Sequence, residues 1–319
     1  MSRSRLIVST LTALAGAATA AASPALAATP RTEDVRAEPV TVQVVAQVPD
    51  KLWNAVSPLL HGLFARQQHQ DITFAGKRYA LFWSNFQVGH SGMGATGAIA
   101  AARRARDQSA FVDRPLTAAE ARSFAAVPLW RDADVLVVRP DNPACQAGVS
   151  RAAAGDLLAG RSRTWSVLGV PAPAAGGNAV HLTVSSLVDK PALSLQPFGV
   201  ARSPSARLDP GVHAIAAVAD PAAVVAMPWS AARSYVEAGS ACAVPVGGVA
   251  PSAATIRDGS YPGAYTVSWA YPRRPLQGTT GRPSPFQARV NALFRSYLTT
   301  TGRSLVLKPA GEYGARLLP

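Results

Sequence analysis

Apolar, strand-like runs alternate with helical patterns through the first third of the chain, and this alternation constrains the fold more than any other feature. Residues 40–46 alternate β-branched and polar side chains, and short apolar runs follow at residues 80–83 and 109–112. One helical pattern begins at Asp50 and a second covers residues 94–106. Strands separated by helices favour a parallel sheet with helices on its faces, so the sequence predicts an α/β fold.

The rest of the chain continues this mixed pattern. Apolar runs at residues 127–130 and 135–138 predict either two strands or one bent strand, closed by a turn at Asp141-Asn142-Pro143. Further strands are expected at residues 180–185, 214–218, 224–227 and 265–269, another beginning at Cys242, and helices at residues 152–159 and 285–299.

The first 28 residues have the features of a secretory signal peptide. Arg3 and Arg5 precede an uncharged, mostly apolar stretch, and Ala25-Leu26-Ala27 supplies a small-x-small cleavage pattern. A membrane span is the weaker alternative, because the stretch is shorter than the roughly 20 residues a span needs and is dominated by alanine. No cysteine precedes Cys145, so no lipid anchor is expected at the cleavage point. We expect a periplasmic or secreted protein without membrane insertion.

The chain is strongly basic. Its formal charge is +13, and removal of Arg3 and Arg5 with the signal peptide would leave +11. Such a charge favours anionic partners: a small oxyanion, a polyanionic surface or nucleic acid. The densest basic cluster, at residues 103–106, lacks interleaved aromatic residues and lies in a predicted helix, which is typical of a solvated helix face. We therefore expect no nucleic-acid partner.

Two cysteines, Cys145 and Cys242, occur in this exported chain. A disulfide is favoured in an oxidising compartment, and two unpaired thiols are the alternative. The histidines lack metal-ligand spacing, so we expect no metal, and no cofactor is implied. About 290 mature residues is the size at which a single core tends to split in two.

A glycine-rich segment at residues 89–97 precedes the second predicted helix. Small residues let the backbone approach a ligand, and a helix start offers unpaired amides and a positive dipole end to an anion. Gly92, Gly94 and Gly97 also match the dinucleotide fingerprint, with Asp113 at the distance of a ribose-binding acid. A dinucleotide-dependent oxidoreductase is therefore an alternative, although export argues against an intracellular cofactor.

Several ordered segments carry a resemblance to a known family. Residues 111–117, Phe-Val-Asp-Arg-Pro-Leu-Thr, resemble a Ser-Asp-x-Pro-Leu element, and residues 157–169 resemble a Phe-x-Gly-Lys-x-x-x-Trp-x-x-Leu-Gly element. Residues 248–252 and 259–262 resemble Gly-Val-x-Pro and Gly-x-Tyr-Pro segments. Together they are similar to the PstS-type phosphate-binding proteins, exported solute-binding components of ABC transporters. The resemblance implies a type II periplasmic-binding-protein (Venus flytrap) fold.

The resemblance also implies an organisation and a function. Two lobes, residues 38–133 plus 228–319 and residues 134–227, would close around a small oxyanion such as phosphate and deliver it to an ABC permease. The protein would be a monomer and not an enzyme. The non-transport alternative is an exported module that kept the fold, lost the ligand, and binds a protein or a polyanionic surface.

Asp113 is the central ligand residue that the resemblance implies, because the family's aspartate accepts the remaining proton of the anion. The alternative for Asp113 is a turn cap before Pro115. Ala95 falls where the family has a phosphate-contacting serine, and the second lobe lacks the family's arginine. The expected ligand-binding residues are Gln47, Gly94, Ala95, Thr96, Gly97, Asp113, Ser185 and Ser186.

Overall fold

The computed structural model describes residues 38–52, 56, 70–87, 94–105, 108–185, 194–195, 198, 200–201, 207–209, 211–277 and 280–299. The strands are β1 (Val40–Val48), β2 (Gln70–Phe74), β3 (Lys77–Gln87), β4 (Ser109–Val112), β5 (Phe124–Val138), β6 (His181–Ser185), β7 (Ser194–Leu195), β8 (Val200–Ala201), β9 (Arg207–Asp209), β10 (Ala223–Pro228), β11 (Cys242–Ala243), β12 (Ala264–Pro272), β13 (Leu276–Gln277) and β14 (Arg282–Pro283). The α-helices are α1 (Ala95–Arg104), α2 (Ala118–Ala121), α3 (Ala144–Ala147), α4 (Arg151–Leu158), α5 (Trp229–Glu237), α6 (Ala253–Asp258) and α7 (Pro285–Thr299), and 3-10 segments cover Asp50–Leu52 and Gly211–Ala219. Within these residues no helix is long and apolar enough to cross a membrane.

One mixed sheet organises the fold. Its strand order is β2-β3-β1-β4-β12-β5-β10-β6-β9, with β11 attached to β5. β1 runs parallel to both β3 and β4, and β6 runs parallel to β10 and β9. β12 is antiparallel to its neighbours β4 and β5. The predicted α/β class with parallel strand pairs is confirmed.

β5 is a single strand that pairs with two different groups of strands. Residues 124–133 pair with β12, and residues 134–138 pair with β10 and β11. Of the two predicted alternatives, one bent strand is therefore correct. Gly263, just before β12, lies against the carbonyl of Asp134, where any side-chain carbon would collide with the oxygen.

The buried apolar side chains form a separate core on each part of β5. One core includes Trp165, Trp229 and Tyr261 and draws its buried residues from positions 133–261. Another contains Trp269 and Phe294 and is built from strands and helices on either side of that segment in the chain. A smaller cluster packs α1 against β4. The predicted lobe boundaries stay a prediction.

Two local predictions differ from the structure. The expected strand at residues 214–218 is part of the 3-10 segment Gly211–Ala219, because a short, continuous apolar run has no periodicity that separates strand from buried helix. The β2–β3 hairpin was not predicted; its two-residue turn has Ala75 at φ 47° and Gly76 at φ 75°. The predicted helix after Asp50 begins as a 3-10 turn, and most of it lies outside the described residues.

The two cysteines form a disulfide, which confirms the favoured prediction. Cys145 in α3 and Cys242 in β11 are bonded, with their Cα atoms 6.0 Å apart. The bond connects the chain just after β5 to a strand that pairs with β5 itself. It therefore closes a covalent loop within one core.

Candidate functional site

Asp113, Lys51 and Asp134 meet where strands from both parts of the sheet converge. Asp113 directly follows β4, and Lys51 lies in the turn after β1, the parallel neighbour of β4. The carboxyl ends of parallel strands lie at one edge of a sheet, where α/β proteins bind ligands. Asp134 comes from β5, at the point where that strand passes from one core to the other.

The Lys51 ammonium is the centre of this cluster. Its Nζ lies 2.8 Å from Oδ2 of Asp134 and 3.1 Å from Oδ2 of Asp113. It also lies 3.8 Å from the centroid of the Tyr265 ring, within cation–π range. The lysine side chain is only 10% exposed, so these contacts form a buried ion cluster that water screens weakly.

Burial and the attraction between opposite charges have opposing effects on the pKa of each group in this cluster. Burial opposes the charge of Lys51, but the carboxylates of Asp134 and Asp113 outweigh it and raise the lysine pKa. Burial raises the pKa of Asp134 to about 6, although the nearby ammonium favours its charged form. Lys51 is therefore charged at neutral pH, while Asp134 binds a proton in mildly acidic solution.

Asp132, two residues earlier in β5, adds a third carboxyl group. It is 1% exposed, and its Oδ1 accepts hydrogen bonds from the backbone N–H of Ala133 at 2.8 Å and of Ser230 at 3.1 Å. Among the described residues, its Oδ2 has no partner that meets hydrogen-bond geometry. Burial raises the pKa of Asp132. Lys51 thus forms ion pairs with Asp113 and Asp134, while Asp132 adds a third buried carboxyl group that the ammonium influences without an ion pair.

The start of α1 lies beside the cluster. Gly94 is its N-cap and provides no side-chain cap, and Ala95 and Gly97 are buried in the first turn. The amide of Gly97 already donates to the carbonyl of Gly94 at 3.0 Å, which leaves the amides of Ala95 and Thr96 to bind an anion at this end. The exposed Thr96 accepts a hydrogen bond at its Oγ1 from Nη2 of Arg114, at 2.8 Å. Since Arg114 follows Asp113, this contact connects the helix start to the ion cluster.

Arg114 is itself held by Glu120. The guanidinium donates two hydrogen bonds to the carboxylate, at 2.8 and 2.9 Å. These bonds, opposed by burial and aided by the N–H of Thr117, lower the pKa of Glu120 to about 2. The bidentate pair fixes the orientation of Arg114 towards Thr96.

We expect Glu120→Gln to lower the free energy of unfolding by about 1–3 kcal/mol at pH 7, because Arg114 loses a charge-assisted bidentate partner. The lowered folded-state pKa of the Glu120 carboxyl stabilises the fold above its unfolded value of 4.5, and this contribution is lost as the pH falls towards about 2. Urea unfolding at pH 7 and pH 3 should give a smaller difference at pH 3. Glu237→Gln, in an exposed pair with Arg233, should cost less than about 0.5 kcal/mol; equal losses would contradict this role.

Gln47 lies in β1 and is 5% exposed. Its backbone pairs with Ala110, three residues before Asp113, which places it near the cluster. Its Nε2 donates to Oε1 of Gln108, so the amide already has a partner.

Ser185 ends β6, on the other part of the sheet. Val184 pairs with Ala226, which in turn pairs with Leu136. One residue further along, Ser185 is two strands from Val135, about 10 Å at the usual strand spacing. Ser186 lies outside the described residues. The predicted residues therefore fall into one group around Asp113 and a second, more distant position at Ser185.

Sequence reasoning missed Lys51, Asp132, Asp134 and Tyr265. One signal was available: Asp132 and Asp134 are two residues apart within an apolar strand, so their side chains point to the same face. Paired acids in a buried strand need a counter-ion or a proton. No sequence signal identified Lys51, because a lysine in a turn is normally exposed to solvent.

Comparison with known proteins identifies the fold. The chain is similar to an ABC-type phosphate transport receptor from Vibrio cholerae, with a TM-score of 0.60 and 14% identity over 86% of this chain and 100% of that one. A protein from Clostridium perfringens, solved with bound phosphate and described as a phosphate ABC transporter substrate-binding protein, gives a TM-score of 0.61 with 13% identity over 87% of this chain and 100% of that one. The regulatory domain of a LysR family regulator from N. meningitidis gives a TM-score of 0.52 with 11% identity over 87% of this chain and 98% of that one.

These similarities confirm the type II periplasmic-binding-protein fold predicted from the sequence. The sequence matches no protein-family model and no curated protein. At these identities the comparisons define the fold alone, and the same fold occurs in a transport receptor and in a regulatory domain. The function has to be argued from the residues of the site.

Proposed function

We propose that this protein is an exported, non-catalytic binding protein that captures a small oxyanion at the Lys51 cluster. The observation that carries the proposal is the ion pair between Asp113 and Lys51 beside the uncapped start of α1. Together they offer an ammonium, free helix amides and a proton acceptor to one ligand. Phosphate is the leading candidate, since similarly folded proteins include a phosphate transport receptor.

The charge balance of the cluster favours a protonated oxyanion over a fully ionised one. An incoming anion competes with Asp113 and Asp134 for the Lys51 ammonium and experiences repulsion from their carboxylates. An oxyanion that retains a proton can donate it in a hydrogen bond to Asp113, which converts repulsion into attraction. Hydrogen phosphate keeps such a proton at neutral pH, whereas sulfate does not.

Lys51 has a further role in this proposal. The sequence lacks the arginine that PstS-like proteins present from their second lobe, and the buried ammonium of Lys51 supplies a positive charge from the first. A lysine is a point charge without the bidentate geometry of a guanidinium. We therefore propose weaker oxyanion binding than an arginine site gives, with the ligand passed to an ABC permease or used for sensing.

Calorimetric titration of the purified mature protein with phosphate, sulfate and molybdate tests the proposal. We expect saturable heat with phosphate and at least tenfold weaker binding of sulfate at pH 7. Asp113→Asn should lower phosphate affinity about 10- to 100-fold, because a charge-assisted hydrogen bond is lost, while sulfate affinity should not fall. Flat traces with all three anions, or an equal loss for phosphate and sulfate, would contradict it.

A second candidate function rests on the same ion pairs. Lys51 already pairs with two carboxylates and covers the Tyr265 ring, so the charge of the ammonium is neutralised without a ligand. This favours a module that kept the fold and binds a protein or a polyanionic surface through its basic exterior. Flat anion titrations together with retention on a heparin column would favour this function. A nicotinamide turnover assay tests the oxidoreductase alternative separately.

A further inference from the structure

A pocket lies between the end of β12 and the helix α7, far from the Lys51 cluster. Its volume is ≈ 420 Å³, within the range of small-molecule sites. β12 begins opposite Ala133, beside the cluster, and the pocket is at its other end, at Tyr271 and Pro272. Eight residues of extended strand separate the two by roughly 25 Å.

The helix α7 presents two different faces. Val290, Phe294 and Leu298 recur every four residues and are buried in the core. The neighbouring face, which lines the pocket, has the small Ala288 and Ala292 where larger side chains would fill the space. Along the same face it bears Asn291, Arg295, Ser296 and Thr299. The space exists because two positions on this side of the helix are alanine.

Asn291 provides an unsatisfied donor in this pocket. It is 6% exposed, and its Oδ1 accepts a hydrogen bond from Nε2 of Gln287 at 3.3 Å. Its Nδ2 is buried, and within the part of the chain that the structure describes it has no partner. A buried amide donor without an acceptor costs free energy, which a ligand oxygen can recover.

Two arginines add positive charge. Arg273 donates from its Nε to the carbonyl of Ala121 at 2.9 Å, and its terminal nitrogens form no further hydrogen bond to a described residue. Arg295 lines the pocket from α7, and no carboxylate in the described residues forms an ion pair with either guanidinium. None of the described residues that line the pocket has an acidic side chain. Both arginines are exposed, and the donors of the described lining outnumber its acceptors, which favours an anionic ligand over a cationic one.

The remaining lining is apolar. Tyr271, Pro272 and Pro275 face the alanines of α7 across the pocket. Tyr271 is held by stacking on Trp269, with ring centroids 4.5 Å apart. A bare inorganic anion would leave this surface wet, whereas a ligand with a flat apolar body would cover it.

We propose that this pocket binds a small organic carboxylate with an apolar body, such as an aryl carboxylate. The carboxylate is held by Arg273, Arg295 and the Nδ2 donor of Asn291, and the ring lies between Tyr271 and the alanines of α7. The site is independent of the Lys51 cluster and does not rest on the function proposed for it.

Titration of the mature full-length protein with benzoate tests this site. We expect saturable binding of benzoate, at least tenfold weaker binding of acetate, which lacks the apolar body, and no binding of benzylamine, which reverses the charge. Arg295→Gln should lower benzoate affinity about tenfold or more, as expected for loss of a charge-assisted hydrogen bond. Arg289→Gln, an exposed residue of the same helix outside the pocket, should change it less than twofold.

Three further measurements separate the pocket from the Lys51 cluster and from general charge attraction. Asp113→Asn and saturating phosphate should both leave benzoate affinity unchanged. Asn291→Leu keeps the shape of the side chain and should weaken benzoate binding in a protein whose thermal unfolding remains cooperative. Displacement of benzoate by phosphate, equal losses in the two arginine variants, or equal binding of benzylamine would each overturn the proposal.

Discussion

Replacement of Lys51 by methionine should lower the free energy of unfolding by about 3–5 kcal/mol at pH 7. The methionine keeps most of the apolar stem but removes the ammonium that lies 2.8 Å from Asp134 and 3.1 Å from Asp113. Two buried carboxylates then face each other without a counter-ion, which is the costly way to break a buried ion pair. Urea unfolding of the two proteins measures the difference. Lys77→Met, at an exposed position in the β2–β3 hairpin, is the matched control and should change stability by less than about 0.5 kcal/mol.

The pH dependence of this loss identifies its electrostatic cause. Burial already raises the pKa of Asp134 to about 6, and removal of the ammonium raises it further. A carboxyl with a raised folded-state pKa favours the folded state below its unfolded value of 3.8, and this advantage is lost as the pH rises through the folded value. The Lys51→Met variant should therefore lose more stability at pH 7.5 than at pH 4.5. Equal losses would mean that the packing of the lysine stem, not its charge, is what matters.

Loss of the Cys145–Cys242 disulfide should cost about 2–5 kcal/mol. The bond closes a loop with a sequence separation of 97, and loop-closure entropy for such a length is worth about 4.7 kcal/mol. The double variant Cys145→Ala/Cys242→Ala should unfold at a lower urea concentration than the oxidised protein. Both substitutions are required, because a single one leaves a free thiol that can pair with another molecule.

A reducing agent provides the control for this prediction. Dithiothreitol should lower the urea midpoint of the original protein towards that of the double variant and leave the variant unchanged. A midpoint that reduction does not alter would mean that the bond contributes little beyond the packing around it.

Much of the fold could be predicted because local patterns and tertiary packing agree. The amphipathic period of α7 and the alternation in β12 match the faces that the structure buries. The failures occur where local patterns are ambiguous. An apolar run in Gly211–Ala219 is equally compatible with a strand, and the hairpin turn uses Ala75-Gly76 rather than the Asn-Gly or Asp-Gly pairs that signal such turns.

The candidate site was only partly predictable, for a different reason. Asp113 follows a buried strand and lies in a segment with a family resemblance, so its position gave a signal. Lys51 becomes significant only when the parallel pairing of β1 and β4 brings its ammonium to two carboxylates. That contact joins residues more than 60 positions apart, so it cannot be predicted from the local sequence around Lys51.

The pairing of Ala133 with Ala264 has a consequence for how the chain is assembled. These residues face each other in adjacent antiparallel strands, so the 130 or so residues between them leave and re-enter the remaining fold at one point. Residues 134–263 therefore form one continuous insertion, and its two ends are as close as those of a tight hairpin. A variant with a short turn in place of residues 134–263 would lose the last five residues of β5 but would still join residues 124–133 directly to their partners 264–272.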